Sequence, residues 1–233
     1  MPKDVIIACD FASEAQTFAF LEKLGSERPF LKIGMELFYA AGPNIVRKLK
    51  DKGYKIFLDL KLHDIPNTVE KAMRVIADLG ADMINVHAAG TVAMMEAAMR
   101  GVSAKGNARP LVISVTQLTS TDEARMQNEL LIGKSLPETV LHYAQNAQKA
   151  GLDGVVCSPL EAESIHNALG SGFLTVTPGI RFADGEKGDQ VRVATPAKAR
   201  KLGSDYIVVG RPITEAADPA EAYARAVADF LGR

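Results

Sequence analysis

Cysteine is almost missing from this chain. Cys9 and Cys157 are the two present in 233 residues, each inside an apolar segment, which argues against a disulfide framework and for a reduced cytosolic protein with two buried thiols. An excess of charge is missing as well. With 27 basic and 28 acidic residues, the formal net charge of -1 leaves no electrostatic footprint for nucleic acid or an anionic membrane. No apolar run is long enough to span a bilayer, and the first one, residues 5–9, ends in an acid at Asp10. It is too short for a signal segment, so the mature chain is expected to start near Met1 and to stay in the cytoplasm. No Gly-x-Gly-x-x-Gly follows that run, and no Ser-His-Asp or Cys-His arrangement stands out. The default partner left by these absences is a small molecule.

What the chain has is repetition. Its hydrophobic content of 47% suffices for one sizeable core, and no composition shift marks a linker. Eight short apolar or β-branched runs recur at residues 5–9, 31–37, 55–60, 83–86, 111–115, 154–157, 174–176 and 206–209. Helix-like stretches lie between them. The first is capped by Ser13 with Gln16 and closed by Gly25; others start at Pro43, Thr68, Thr91, Pro137, Pro159, Pro196 and Pro219. Three joints, Gly80-Ala81-Asp82, Gly151-Leu152-Asp153 and Gly203-Ser204-Asp205, repeat one pattern before a strand. Eight alternating β-α units predict a (β/α)₈ TIM barrel, a single domain over residues 1–233, rather than an open doubly wound sheet. Residues 119–153 are expected to hold extra helix, at 123–131 and 138–149, as an insertion.

A barrel places function at the carboxyl ends of its strands, and phosphate after strands 7 and 8. Polar residues collect there: Asp10, Lys32, Asp59 with Lys61, His87, Thr116 with Thr119, Arg181 after Pro178-Gly179-Ile180, and Arg211 after Gly210. Asp59-Leu60-Lys61-Leu62-His63-Asp64 is the densest cluster. Alternation points Asp59 and Lys61 to one face, with Asp64 in the turn beyond. Lys32, inside an apolar strand, is expected to pair with Asp10 and Asp59 rather than snorkel outward. Arg181 and Arg211 suit a phosphate because a guanidinium fork holds two oxygens, and Gly210 lets backbone N–H groups approach the same anion; the alternative is two solvated loop charges.

Two further readings are open. His63 and His87 beside Asp59 and Asp64 could ligate a divalent ion, against which Lys61 stands as a fixed cation in the same place. The polar stretch 182–190 reads as a lid beside the phosphate site, with Gln190 closing over a ligand, or as an ordinary loop.

Asp59-x-Lys61-x-x-Asp64-Ile65-Pro66-Asn67-Thr68, Val115-Thr116-Gln117-Leu118-Thr119-Ser120, Thr177-Pro178-Gly179-Ile180-Arg181 and Val209-Gly210-Arg211-Pro212-Ile213-Thr214 together resemble the orotidine 5'-phosphate decarboxylase family. The match runs in order from Asp10 to Thr214. The resemblance implies decarboxylation of orotidine 5'-phosphate to UMP with neither cofactor nor metal. It assigns Lys61, Asp59, Asp64 and Lys32 to catalysis. To substrate binding it assigns Asp10, Lys32, Asp59, Ile65, Thr68, Thr119, Arg181, Gln190, Gly210 and Arg211. It also implies a homodimer in which Asp64, Ile65 and Thr68 reach into the neighbour's site. The Asp-x-Lys-x-x-Asp core is shared with Mg²⁺-dependent decarboxylases and aldolases of ketose phosphates, which remain the enzymatic alternative. A nucleotide-binding barrel without catalysis is the non-enzymatic one.

Overall fold

The structure, a computed structural model, describes residues 3–183 and 193–233. Eight parallel strands follow one another around a closed barrel: β1 (Asp4–Cys9), β2 (Phe30–Ile33), β3 (Lys55–Leu62), β4 (Met83–His87), β5 (Leu111–Val115), β6 (Gly154–Val156), β7 (Leu174–Thr177) and β8 (Tyr206–Val209). The ring closes where β1 pairs with β8 in the register Asp4↔Tyr206 to Ile7↔Val209. Helices α1 (Glu14–Lys23), α2 (Met35–Ala41), α3 (Asn44–Asp51), α4 (Pro66–Ala77), α5 (Thr91–Ser103), α6 (Glu123–Glu129), α7 (Leu136–Lys149), α8 (Ala162–Leu169), α9 (Pro196–Lys201), α10 (Arg211–Thr214) and α11 (Pro219–Leu231) lie between and after the strands. This is the TIM barrel expected from the repeat. Among the described residues no helix is long and apolar enough to cross a membrane.

The alternation of strand side chains divides the apolar residues into two shells. Ile6, Ala8, Phe30, Phe57, Met83, Ile113, Val176 and Val208 fill the barrel interior, while Val5, Ile7, Cys9, Leu31, Ile33, Ile56 and Leu58 face the helices. Most apolar burial lies in the outer shell. Each fully buried aliphatic side chain contributes about 1.5–3 kcal/mol, so the outer shell can stabilise the barrel while the upper interior layer stays polar. The inward parity, continued to the carboxyl end of each strand, leads from Ala8 to Asp10, from Phe30 to Lys32, from Phe57 to Asp59 and from Val208 to Gly210.

The helices begin as their caps dictate. Ser135 and Glu138 form a capping box at α7, Ser158 and Glu161 another ahead of α8, and Thr195 and Asp218 cap α9 and α11. Boundaries differ from the expected ones where a local signal overrides hydrophobicity. The second apolar run, expected over 31–37, stops as a strand at Ile33 because Gly34 serves as N-cap of α2. The third continues two residues further, to Leu62. Within 119–153, α7 is the ordinary crossover packed on β5 and β6, so only α6 and its flanks are additional.

Candidate active site

The site is built on β1, β2 and β3. Lys32 Nζ lies 2.8 Å from Asp10 Oδ1 and 3.4 Å from Asp59 Oδ2, and Lys61 Nζ lies 2.8 Å from Asp59 Oδ1. The charges therefore alternate in a row, Asp10, Lys32, Asp59, Lys61, from the exposed Asp10 to the buried Asp59. A Cβ on residue 34 would stand 3.1 Å from Asp10 Oδ1 and 3.2 Å from Lys32 Nζ, so glycine there leaves the pair its room.

Burial alone would push the Asp59 carboxyl up. Lys32 and Lys61, with hydrogen bonds from Lys61 and Asn85, outweigh it and hold Asp59 below the usual carboxylate range. Lys32 shows the mirror case: desolvation disfavours its charge, but Asp59 and Asp10 prevail and its pKa is raised. Lys32 and Asp59 are held ionised because each sits between two opposite charges.

Lys61 reaches this position through an irregular backbone. Between the pairs Leu58↔Ile84 and Leu62↔Val86, β3 advances four residues while β4 advances two, and Lys61 adopts φ 52°. Left-handed backbone is disfavoured for a residue with a Cβ, and a bulge beside an active site commonly re-aims a side chain. Simple alternation predicted that Asp59 and Lys61 share a face. They do, by way of a bulge that alternation does not contain.

A pocket of about 530 Å³ opens above this row at the carboxyl ends of the strands. Its lining includes Asp10, Lys32, Asp59, Lys61, Thr119, Arg181, Gly210 and Arg211, so eight of the expected site residues come together from six strands or the loops after them. Its volume falls in the range of small-molecule sites. Arg181 and Arg211 flank the side formed by the loops after β7 and β8. The first of these loops is pinned at its base, where Arg181 N–H donates to the Ala194 carbonyl at 3.0 Å and Ala194 N–H to Gly179 at 3.1 Å. Gln190 and most of the expected lid lie outside the described residues.

Asp64, Ile65 and Thr68 are elsewhere. They are exposed at the start of α4 and do not line this chain's own pocket; Ile65 is 66% exposed. Thr116 does not line the pocket either; its hydroxyl is buried and donates to the Val156 carbonyl at 2.9 Å. Gln117, Ser120 and Glu215 join the lining without having been singled out. The buried Asn85, which donates from Nδ2 to Asp59 Oδ1 at 2.7 Å, was missed as well. Its signal was a polar residue at an inward position of an apolar strand.

His63 and His87 stack on each other, ring centroids 5.6 Å apart and 23° between planes. Burial, then His63 and Lys61, lower the His87 pKa, so its imidazole is neutral near pH 7. Among the described residues no group of three or more His, Cys, Asp or Glu is arranged to hold a metal ion.

Fold and site define a class: a (β/α)₈-barrel enzyme whose mouth presents a Lys-Asp-Lys row to a small ligand. The sequence matches the Orotidine 5'-phosphate decarboxylase / HUMPS family over residues 3–226, and the chain belongs to that family. It is 56% identical over 226 residues to the orotidine 5'-phosphate decarboxylase of Bacillus cereus (strain Q1), covering 96% of this chain and 95% of that protein. Against the Bacillus caldolyticus enzyme of the same name it is 56% identical over 230 residues, 97% of this chain and 94% of the relative. Among solved structures, orotidine 5'-phosphate decarboxylase from Lactobacillus acidophilus superposes with a TM-score of 0.88 at 44% identity, covering 98% and 99% of the two chains. An uncharacterized conserved protein from Geobacillus kaustophilus gives 0.86 at 50% identity, covering 97% and 99%.

Proposed function

We propose that this chain is a carboxy-lyase that converts orotidine 5'-phosphate to UMP, the UMP-forming step of pyrimidine biosynthesis, with Lys61 as the group that stabilises and protonates C6. The observation that carries the reading is the Lys61 ammonium, 2.8 Å from Asp59 and open to the pocket. Loss of CO₂ leaves an electron pair at C6 in the plane of the ring, where the pyrimidine π system cannot delocalise it. Catalysis must then come from positive charge placed in advance and from a proton at hand. Lys61 supplies both. The C6–carboxylate bond breaks, its electron pair remains on C6, and one N–H proton of Lys61 passes to that carbon.

Asp59 has two parts in this scheme. It fixes the ammonium direction through its Oδ1, and its negative charge stands beside the substrate carboxylate, a repulsion relieved as CO₂ departs. Lys32 keeps Asp59 ionised and, with Asp10, binds the ribose hydroxyls; Thr119 meets the pyrimidine. Arg181, Gly210 and Arg211 hold the phosphate together with Gln190. Binding energy gathered at that remote phosphate orders the charged row around C6. The row carries its own cation in Lys61, so the step is read as needing no metal and no cofactor.

The same reading makes the protein a cytoplasmic homodimer. Asp64, Ile65 and Thr68, exposed and not lining their own pocket, suit a role in the neighbour's site. The direct test follows the absorbance of orotidine 5'-phosphate with and without a strong chelator. Equal turnover in both supports the reading. Activity that the chelator abolishes, or turnover of a ketose phosphate instead, favours the Mg²⁺-dependent alternative.

A further inference from the structure

Asn85 stands on β4 between the inward positions of Met83 and His87 and is 2% exposed. Its carboxamide is used at both ends: Nδ2 donates to Asp59 Oδ1 at 2.7 Å, and Oδ1 accepts the backbone N–H of Lys61 at 2.8 Å. The partners dictate the orientation. A backbone N–H can only donate and an ionised carboxylate can only accept, so this amide fits one way round. It also acts where β3 leaves its regular register with β4 and Lys61 takes a left-handed backbone. The side chain of Asn85 gives the Lys61 N–H its acceptor within that bulge.

We propose that Asn85 is a positioning residue for decarboxylation: one rigid amide holds both the Lys61 backbone and the Asp59 carboxylate, and thereby sets where the Lys61 ammonium points. Asn85 itself does not line the pocket. The proposal rests on the reading of Lys61 given above. The chemistry it requires is narrow, because the residue must offer a donor to Asp59 and an acceptor to Lys61 at once. Alanine offers neither. An ionised aspartate offers two acceptors and sets a second carboxylate against Asp59, whereas a protonated aspartic acid restores one donor and one acceptor. The charged or titratable groups around it are Asp59 and Lys61 from β3, Lys32 from β2 through Asp59, and His87 along β4; on β5 it is in register with Ile113.

The test compares wild type, Asn85→Ala and Asn85→Asp on orotidine 5'-phosphate across pH, with UMP affinity and thermal melting measured alongside. For Asn85→Ala we expect kcat to fall on the order of 10²-fold while KM stays within about threefold, as a misplaced reacting group produces. For Asn85→Asp we expect kcat to recover about tenfold or more, relative to wild type, from pH 8 towards pH 5 as its carboxyl takes up a proton. Asn85→Ala turning over within about threefold of wild type, or an Asn85→Asp pH profile parallel to wild type, overturns the proposal. A residue that merely stabilises the fold would shift the melting temperature and leave that profile unchanged. Should Asn85→Ala fail to fold, the Asn85→Asp profile decides alone. Inactive wild type would refute the Lys61 reading and this proposal together, whereas active wild type with unresponsive variants refutes only this one.

Discussion

Asp59 and Lys32 are held in their charged forms by the opposite charges around them, and this governs how the site responds to pH. Asp59 has a folded pKa below its ordinary 3.8, so the stability it contributes is present above that value and is lost as pH falls through the lowered folded one. Lys32 is the reverse. Its folded pKa lies above 10.5, so its contribution is present below 10.5 and is lost as pH rises through the raised value. Neither group changes charge between those limits. We therefore predict a kcat profile without an ionisation of Asp59 or Lys32 between about pH 5 and 9; a limb inside that window that disappears in Asp59→Asn would contradict it. Asp59, Lys61 and Lys32 were legible in the sequence because charges in apolar strands need partners. Asn85 offered only its polarity within an apolar strand, and its role was hidden because it depends on the β3–β4 register and on a bulge, both set by three-dimensional pairing.

At the scale of elements, the three Gly-x-Asp joints do more than punctuate. In each, the aspartate carboxylate accepts the N–H of the second residue of the preceding strand: Asp82 from Ile56 at 2.7 Å, Asp153 from Val112 at 2.7 Å, Asp205 from Thr175 at 2.9 Å. The aspartate's own N–H returns a bond to the carbonyl of that same residue. Each carboxylate also meets a basic side chain: Lys50, Arg109 and His166 respectively. The clasps tie β3 to β4, β5 to β6 and β7 to β8 at the amino ends of the strands, the face of a barrel given to stability rather than chemistry. Asp153→Ala removes the acceptor of a buried N–H and the bidentate partner of Arg109, and should destabilise by about 2–4 kcal/mol, lowering the melting temperature by roughly 5–10 °C. Turnover per folded molecule should stay unchanged, and a large fall in kcat without loss of stability would refute the division of faces. The repeat was visible in the sequence as a joint. Its function as a clasp needed the distances.

For the whole molecule, the eightfold pattern was readable because each β-α unit carries its own period, caps and turn. What the periods do not contain is where a loop finds its partner when that partner is another chain. Asp64, Ile65 and Thr68 came from the family resemblance, and their exposure beside α4 is a property that sequence alone did not give. If the sites are shared, mixing inactive Lys61→Ala with inactive Asp64→Ala and letting subunits exchange should restore activity. Random pairing would leave about a quarter of the sites intact. Failure to recover any activity after proven exchange would place Asp64 in its own subunit's chemistry or in none.

In the proposed mechanism one ammonium both stabilises and protonates C6. The most direct test of this is the single-turnover rate of CO₂ release from orotidine 5'-phosphate by Lys61→Ala, with UMP affinity determined on the same preparation. Loss of a positioned proton donor and of a preorganised charge together predicts a fall of at least about 10⁴-fold, with the variant folded and still binding UMP. CO₂ release within about tenfold of wild type would contradict the account.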